Sequence, residues 1–227
     1  MKKPIISMII LVLLVTFANY QGLNIVMATS GPNIEQVLAA AKTISNNRDL
    51  LEDEDIIAII EDKNIYKGEL ELKKKLYEVT NKLTHQDDYK IPFTQLMVEK
   101  YELALAEKLG LSVSIEEAQE IALKEKELIY SSGETSAIKM YIDSLGLTED
   151  EYWNEYAPGE LIKYVTHVRI ERHIIEEAVK NKKLPKVEMH TAETNELYHQ
   201  YIDNYYKNLK KQIKYKLVDT DYAEKIK

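Results

Sequence analysis

With 227 residues, 45% of them hydrophobic and 30% charged, the chain can bury one core of ordinary size or two small ones. Its formal charge of −8 argues against nucleic acid as a partner. The absence of cysteine excludes disulfides, thiol catalysis, thiolate metal sites and lipid attachment through a Cys.

Lys2 and Lys3 precede an apolar run from Ile5 to Ala18, and Val26-Met27-Ala28 follows a polar interruption at Asn19, Gln21 and Asn24. This pattern predicts a secretory signal over residues 1–28, cleaved after Ala28 so that the mature chain begins at Thr29. The alternative is an uncleaved anchor over the same stretch, although the apolar run is short of the roughly 20 residues a spanning helix needs. Either way the body is expected outside the cytoplasm, with a membrane involved only through this segment.

Residues 29–54 read as a short helix followed by an acidic link. Ile34, Val37, Leu38, Ala41 and Ile44 recur at helical spacing, Ser45-Asn46-Asn47 breaks it as a mobile joint, and Leu51-Glu52-Asp53-Glu54-Asp55 follows. From there residues 55–227 form the main unit. Ile56 to Ile60 is a short β-branched run, and Lys63 to Tyr66 returns as its partner strand. Glu69 to Leu83 carries a narrow seam of Leu72, Leu76, Val79 and Leu83, and His85-Gln86-Asp87-Asp88 stops it. The helix from Pro92 to Leu109 has the broadest apolar face and is expected to be central.

Two corners punctuate the chain beyond this helix. Gly110 can take the left-handed conformation that closes a helix, and Ser114 with Glu117 predicts a reciprocal cap at the next start. The same chemistry returns as Gly146 and Thr148 with Glu151. Between them, Ser131-Ser132-Gly133 ends a helix at about Tyr130. Pro158-Gly159 is expected to break a short aromatic helix from the long one running Glu160 to Lys180. Thr191 caps a further helix that carries Tyr198, Tyr201, Tyr205 and Leu209. Gln212 to Val218 then alternates apolar and charged residues as a half-exposed strand does. We expect Ile213 to Val218 to pair with Ile56 to Ile60, because a lone hairpin is marginal in water. The fold class is therefore mainly α, a multi-helix module with a small two- or three-stranded β element joining its N- and C-terminal parts.

The order of strand, turn, strand, helix and two capped corners resembles the N-terminal module of the SurA and PrsA type of bacterial chaperone. The residues that carry the likeness are Ala58 to Leu70, Ala106 to Ala118 and Leu145 to Tyr152, within a stretch from about Asp55 to Lys211. Two positions depart from the family pattern: its Asn-Gly turn appears as Glu61-Asp62, and its Thr helix cap as Tyr66. Residues 212–227 leave no room for the Gly-rich parvulin domain, and none of the seven glycines lies beyond Gly159. The resemblance thus implies an exported, holdase-like module that binds unfolded or extended polypeptide without prolyl isomerase catalysis and without a cofactor. A partner-specific adaptor on the same fold is the alternative, and a hydrolase with an unrecognised site stands third.

Met97, Tyr101, Met140, Tyr141, Trp153 and Tyr156 are the residues expected to line a peptide-accepting surface, since soft and amphipathic side chains adapt to varied apolar partners. The competing reading of each is a core position. His167 and His173, six apart, point in different directions on a helix and read as boundary histidines. Glu196 and His199 form a single Glu-x-x-His, where a di-metal carboxylate site needs two. Acid pairs such as Glu116-Glu117 and Glu176-Glu177 do not face one another on a helix. The run Lys207, Lys210, Lys211, Lys214 and Lys216 reads as a solvated edge protected by Lys.

Overall fold

The computed structural model describes residues 34–81, 89–133, 135–186 and 192–226. The N-terminal address at 1–28, the polar stop at 82–88 and the Thr191 cap lie outside them. The described chain is mostly helical, with one three-stranded sheet of order β2-β1-β3.

Helix α1 (Ile34–Ser45) buries Val37, Ala40, Ala41 and Ile44. After Ser45-Asn46-Asn47 comes a 3₁₀ turn, Arg48–Glu52, where the Arg48 guanidinium donates to the Leu145 carbonyl at 2.6 Å. Strands β1 (Ile56–Ile60) and β2 (Lys63–Tyr66) form an antiparallel hairpin. A two-residue turn wants positive φ, which Asn-Gly supplies at little cost; here Glu61 takes it, at φ 56°. Two ion pairs brace that strained turn against the end of the central helix, Lys108 to Glu61 and Lys63 to Glu107, both at 2.6 Å.

Helix α2 (Lys67–Asn81) starts earlier than the sequence implies. Its start needs no Thr, because the Glu69 carboxylate accepts from the Tyr66 N–H at 3.0 Å and satisfies an orphan donor of the first turn. Its apolar residues divide between two sides. Leu72 and Leu76 join the helical core, Leu70 joins the sheet core, and Val79 of the expected seam is exposed.

Gly68 packs directly under the 3₁₀ turn: a Cβ built there lies 1.6 Å from the Leu50 carbonyl oxygen. Helix propensity alone makes Gly→Ala favourable by up to about 1 kcal/mol. Backbone has no rotamer with which to move aside, so the clash should win. Gly68→Ala is expected to lower stability by about 1–3 kcal/mol, read from the urea midpoint; a raised midpoint would show that the 3₁₀ turn can slide away.

Helix α3 (Lys90–Leu109) runs through the centre, with Phe93, Leu96 and Met97 toward the sheet and Ala104 and Ala106 closely packed further along. It ends at Gly110, φ 68°, where the Leu111 N–H returns to the Ala106 carbonyl at 2.8 Å. Helix α4 (Ile115–Ser132) begins on Ser114, whose hydroxyl accepts from the Glu117 N–H at 3.2 Å. The expected reciprocity is absent here. The Glu117 carboxylate pairs instead with Arg169, whose guanidinium also takes the Ser112 carbonyl at 3.0 Å, fastening the corner to a later helix. At the second corner the box is complete. After α5 (Ser136–Leu145), Thr148 accepts from the Glu151 N–H at 3.2 Å and Glu151 accepts from the Thr148 N–H at 2.7 Å.

Pro158-Gly159 does not break the chain. The short α6 (Glu149–Glu151) passes through a π-turn (Tyr152–Tyr156) into α7 (Ala157–Lys180). Proline has no N–H for the ladder and collides with the carbonyl four residues back. The π-turn, with the Ala157 N–H bonded to Tyr152 five residues earlier, shifts the hydrogen-bond register just before the ring, so the helix runs on.

Helix α8 (Ala192–Gln212) leads into β3 (Tyr215–Leu217), which pairs antiparallel with β1 in the expected place: Ala58 opposite Leu217, Ile59 opposite Lys216, Ile60 opposite Tyr215. A short α9 (Asp221–Lys225) then buries Tyr222. The first core gathers α1, α2, α4, α5, the π-turn and α7; the second gathers the sheet, α2, α3 and the C-terminal elements; a small third joins Ala106 to Ile170 and Ile174.

Candidate functional site

Between the two main cores the helices leave a cleft of about 120 Å³. Glu69, Leu72, Lys73 and Leu76 on α2 face Leu96, Glu99, Lys100 and Leu103 on α3, each set at spacing i, i+3, i+4, i+7, one face of a helix. Tyr156 of the π-turn with Glu160 and Lys163 of α7 form a further wall, and Ile44 and Leu51 complete the lining. The π-turn that carries the chain past Pro158 thus also places Tyr156.

Two ion pairs link α2 to α3, and a third lies within α7. Lys73 pairs with Glu99, Lys100 with Glu69 at 2.6 Å, and Lys163 with Glu160 at 2.9 Å. Three lysines and three glutamates make the lining formally neutral. Glu160 beside it, with Glu99 and Glu69 farther off, holds the Lys163 ammonium well above its usual range against the opposing effect of burial. Burial, helped by the Glu99 charge, raises the Tyr77 hydroxyl in the same way. The Lys73 side chain is only 7% exposed, and among the described residues Glu99 is its one acceptor. An ammonium carries three N–H donors, so two are left for whatever enters. The arrangement is an apolar hollow with hydrogen-bond donors at its wall. Among the described residues, its lining carries no Ser, Thr, Cys or His.

Of the six residues expected to line a peptide surface, Tyr156 is the one in this cleft. Met97 is buried against the sheet and Tyr101 packs beside it, Tyr141 and Trp153 are buried in the helical core, and Met140 is half exposed on α5. Tyr152 sits at the centre of that aromatic group, edge-on to Trp153 at 4.8 Å and stacked on Tyr156 at 5.8 Å. The six are therefore divided among two cores, an outer face and the cleft, and do not form one surface. The residues that do line the hollow include one Glu and one Lys from each of α2 and α3, at positions that read as solvated on either helix alone.

A second constellation lies deeper. Glu102, 2% exposed, meets His167 Nδ1 at 3.0 Å and accepts from the Tyr206 hydroxyl. His167 Nε2 lies 3.3 Å from Glu171. Burial alone would lower the imidazole; the hydrogen bonds to Glu102 and Glu171 outweigh it and push it up to about 10. The cluster ties α3, α7 and α8 together. Among the described residues no three His, Asp or Glu side chains converge to hold a metal, and Glu196 bonds to Gln200 at 2.9 Å. The five lysines from Lys207 to Lys216 are all exposed, along the end of α8 and the edge strand. No helix of the described residues is long and apolar enough to cross a membrane.

Comparisons with family models, curated proteins and solved structures found no match. The corners and the cleft therefore carry the functional reading.

Proposed function

We propose that this chain is a holdase-like chaperone module of the exported space, binding unfolded or extended polypeptide without catalysing prolyl isomerisation. The observation that carries the reading is the cleft: an apolar hollow, lined by paired charges, between helices whose corners resemble the SurA and PrsA module. An apolar group entering it gives up water-exposed surface, worth roughly 25 cal/mol per Å². Much of that gain is offset by the freedom lost on association. A single large apolar side chain gains roughly 1.5–3 kcal/mol when fully buried, so one anchor binds weakly, which suits a client that must be released. Isomerisation, by contrast, faces a barrier of roughly 18–20 kcal/mol, and lowering it needs groups preorganised around the bond.

Light scattering of chemically denatured clients with and without the protein tests the first half, and a proline-limited refolding rate the second. Aggregation slowed across several unrelated clients, with refolding kinetics unchanged, is the expected result. Unchanged scattering for a whole panel at several-fold molar excess overturns the chaperone reading, and saturable acceleration of refolding overturns the non-catalytic part.

A further inference from the structure

We infer that the cleft takes one large apolar side chain, of leucyl or phenyl size, from an uncharged stretch of client chain, whose neighbouring main-chain carbonyl accepts from Lys73. The inference rests on the chaperone reading and names its substrate class. Three observations lead to it.

The first is size. A hollow of about 120 Å³ is close to the ~150 Å³ cavity that accommodates a single benzene, so it has room for one such group and not for two. Recognition is then by single anchor residues spaced along the client, and not by a continuous apolar run.

The second is charge. Each ammonium in the lining already has its carboxylate, Lys73 with Glu99, Lys100 with Glu69, Lys163 with Glu160. A charged anchor would have to separate one of these pairs and leave a partly desolvated ion behind, which is unfavourable. A neutral segment leaves all three intact.

The third is hydrogen bonding. Lys73 is buried at the wall with two donors beyond the one that Glu99 accepts. A hydrocarbon would leave them unmet, whereas a peptide brings a carbonyl oxygen within a few ångströms of every side chain it inserts. The occupant that satisfies both the hollow and the ammonium is thus a polypeptide, since a free hydrocarbon meets only the first.

Fluorescence anisotropy with labelled, Gly/Ser-based nonapeptides tests this on the full protein. The central residue is Phe, Leu, Ala, Lys or Glu. Phe and Leu are expected to bind, Ala roughly ten- to hundredfold more weakly, and Lys and Glu no better than Ala. Leu103, half buried at the wall, is the place to fill the hollow, and Leu103→Trp should weaken Phe-peptide binding at least tenfold. Because that variant can fail by misfolding, the wild type is also cross-linked to a peptide whose anchor is benzoylphenylalanine, with adducts located by mass spectrometry. Adducts at Leu72, Leu76, Leu96 or Leu103 support the assignment. Adducts elsewhere, equal binding of charged anchors, or a folded Leu103→Trp protein that binds normally overturns it. N-acetylphenylalanine amide competing only as tightly as toluene shows that the carbonyl contributes nothing, and overturns the assignment to Lys73. Each of these failures leaves aggregation suppression intact, whereas loss of the chaperone reading appears as unchanged client scattering in the wild type.

Discussion

A chain ending at Gln212 should lose most of its stability, and the loss should appear first at the sheet. Residues beyond that point supply β3, the outer partner of β1, and bury Ile213, Tyr222 and Ile226 in the sheet core. Fully burying a large side chain is worth roughly 1.5–3 kcal/mol, so the three together amount to several kcal/mol in a protein whose total stability is of the order of 5–15. Specific contacts go with them. Tyr222 donates to the Glu71 carboxylate at 2.6 Å and stands edge-on to Tyr89 at 5.7 Å, while Tyr215 does the same to Phe93 at 5.2 Å. The backbone of β1 would also be left with an open side: Val218 N–H, for one, donates to the Ile57 carbonyl at 2.9 Å, and an orphaned backbone group near a core is costly. Urea denaturation should show the truncated chain unfolding at a much lower midpoint, and hydrogen exchange should show β1 amides losing protection before those of α7. Equal midpoints would mean that the C-terminal elements rest on the module without holding it.

The parts of this fold that are legible in the sequence are those whose chemistry is local. Gly110, Ser114, Gly146 and the Thr148–Glu151 box each act within a few residues, and each lies where its spacing implies. The β1–β3 pairing is legible for a different reason: Ile213 to Val218 has the strand period and few other places to be satisfied. Three features are not readable, for physical reasons. A proline after an aromatic turn implies a break unless a π-turn absorbs it, and nothing in Tyr152-Trp153-Asn154-Glu155-Tyr156 announces a shift of one hydrogen bond. Glu117 fits a capping box by spacing, but Arg169, far along the chain, offers it a full charge where the backbone offers a dipole. The cleft is the least visible. Lys73 and Glu99 each resemble a solvated position on one helix, and only the crossing of α2 and α3 turns them inward as a pair. Met97, Tyr141 and Trp153, expected as adaptable surface, follow the plainer rule that large apolar residues at helical spacing face a core.

Replacing Glu102 with Gln should destabilise the protein at neutral pH and remove a pH dependence that the wild type shows. In the native state the buried carboxylate faces a protonated His167 and the Tyr206 hydroxyl. Neutralising it removes the nearer of the two carboxylates that face the imidazolium, the other being Glu171 at 3.3 Å. Breaking one side of a buried ion pair typically costs about 3–5 kcal/mol, and the 28% exposure of the His167 side chain places the expected loss toward the lower end. The sign of the pH effect follows from the direction of the shift. His167 titrates at about 10 when folded and near 6.5 when unfolded, so between those values the native state holds a proton that the unfolded chain has released. The contribution is complete below about pH 6.5 and lost as pH rises toward 10, with a slope of up to ~1.4 kcal/mol per pH unit. Tyr206, raised by burial and by the Glu102 charge, stays protonated throughout that window and adds no opposing slope. Urea midpoints measured every half unit from about pH 6.5 to 9.5 should therefore fall steadily for the wild type and stay nearly level for Glu102→Gln. Parallel curves for the two proteins would place the titrating group elsewhere. A level wild-type curve would mean that His167 is neutral in the folded state.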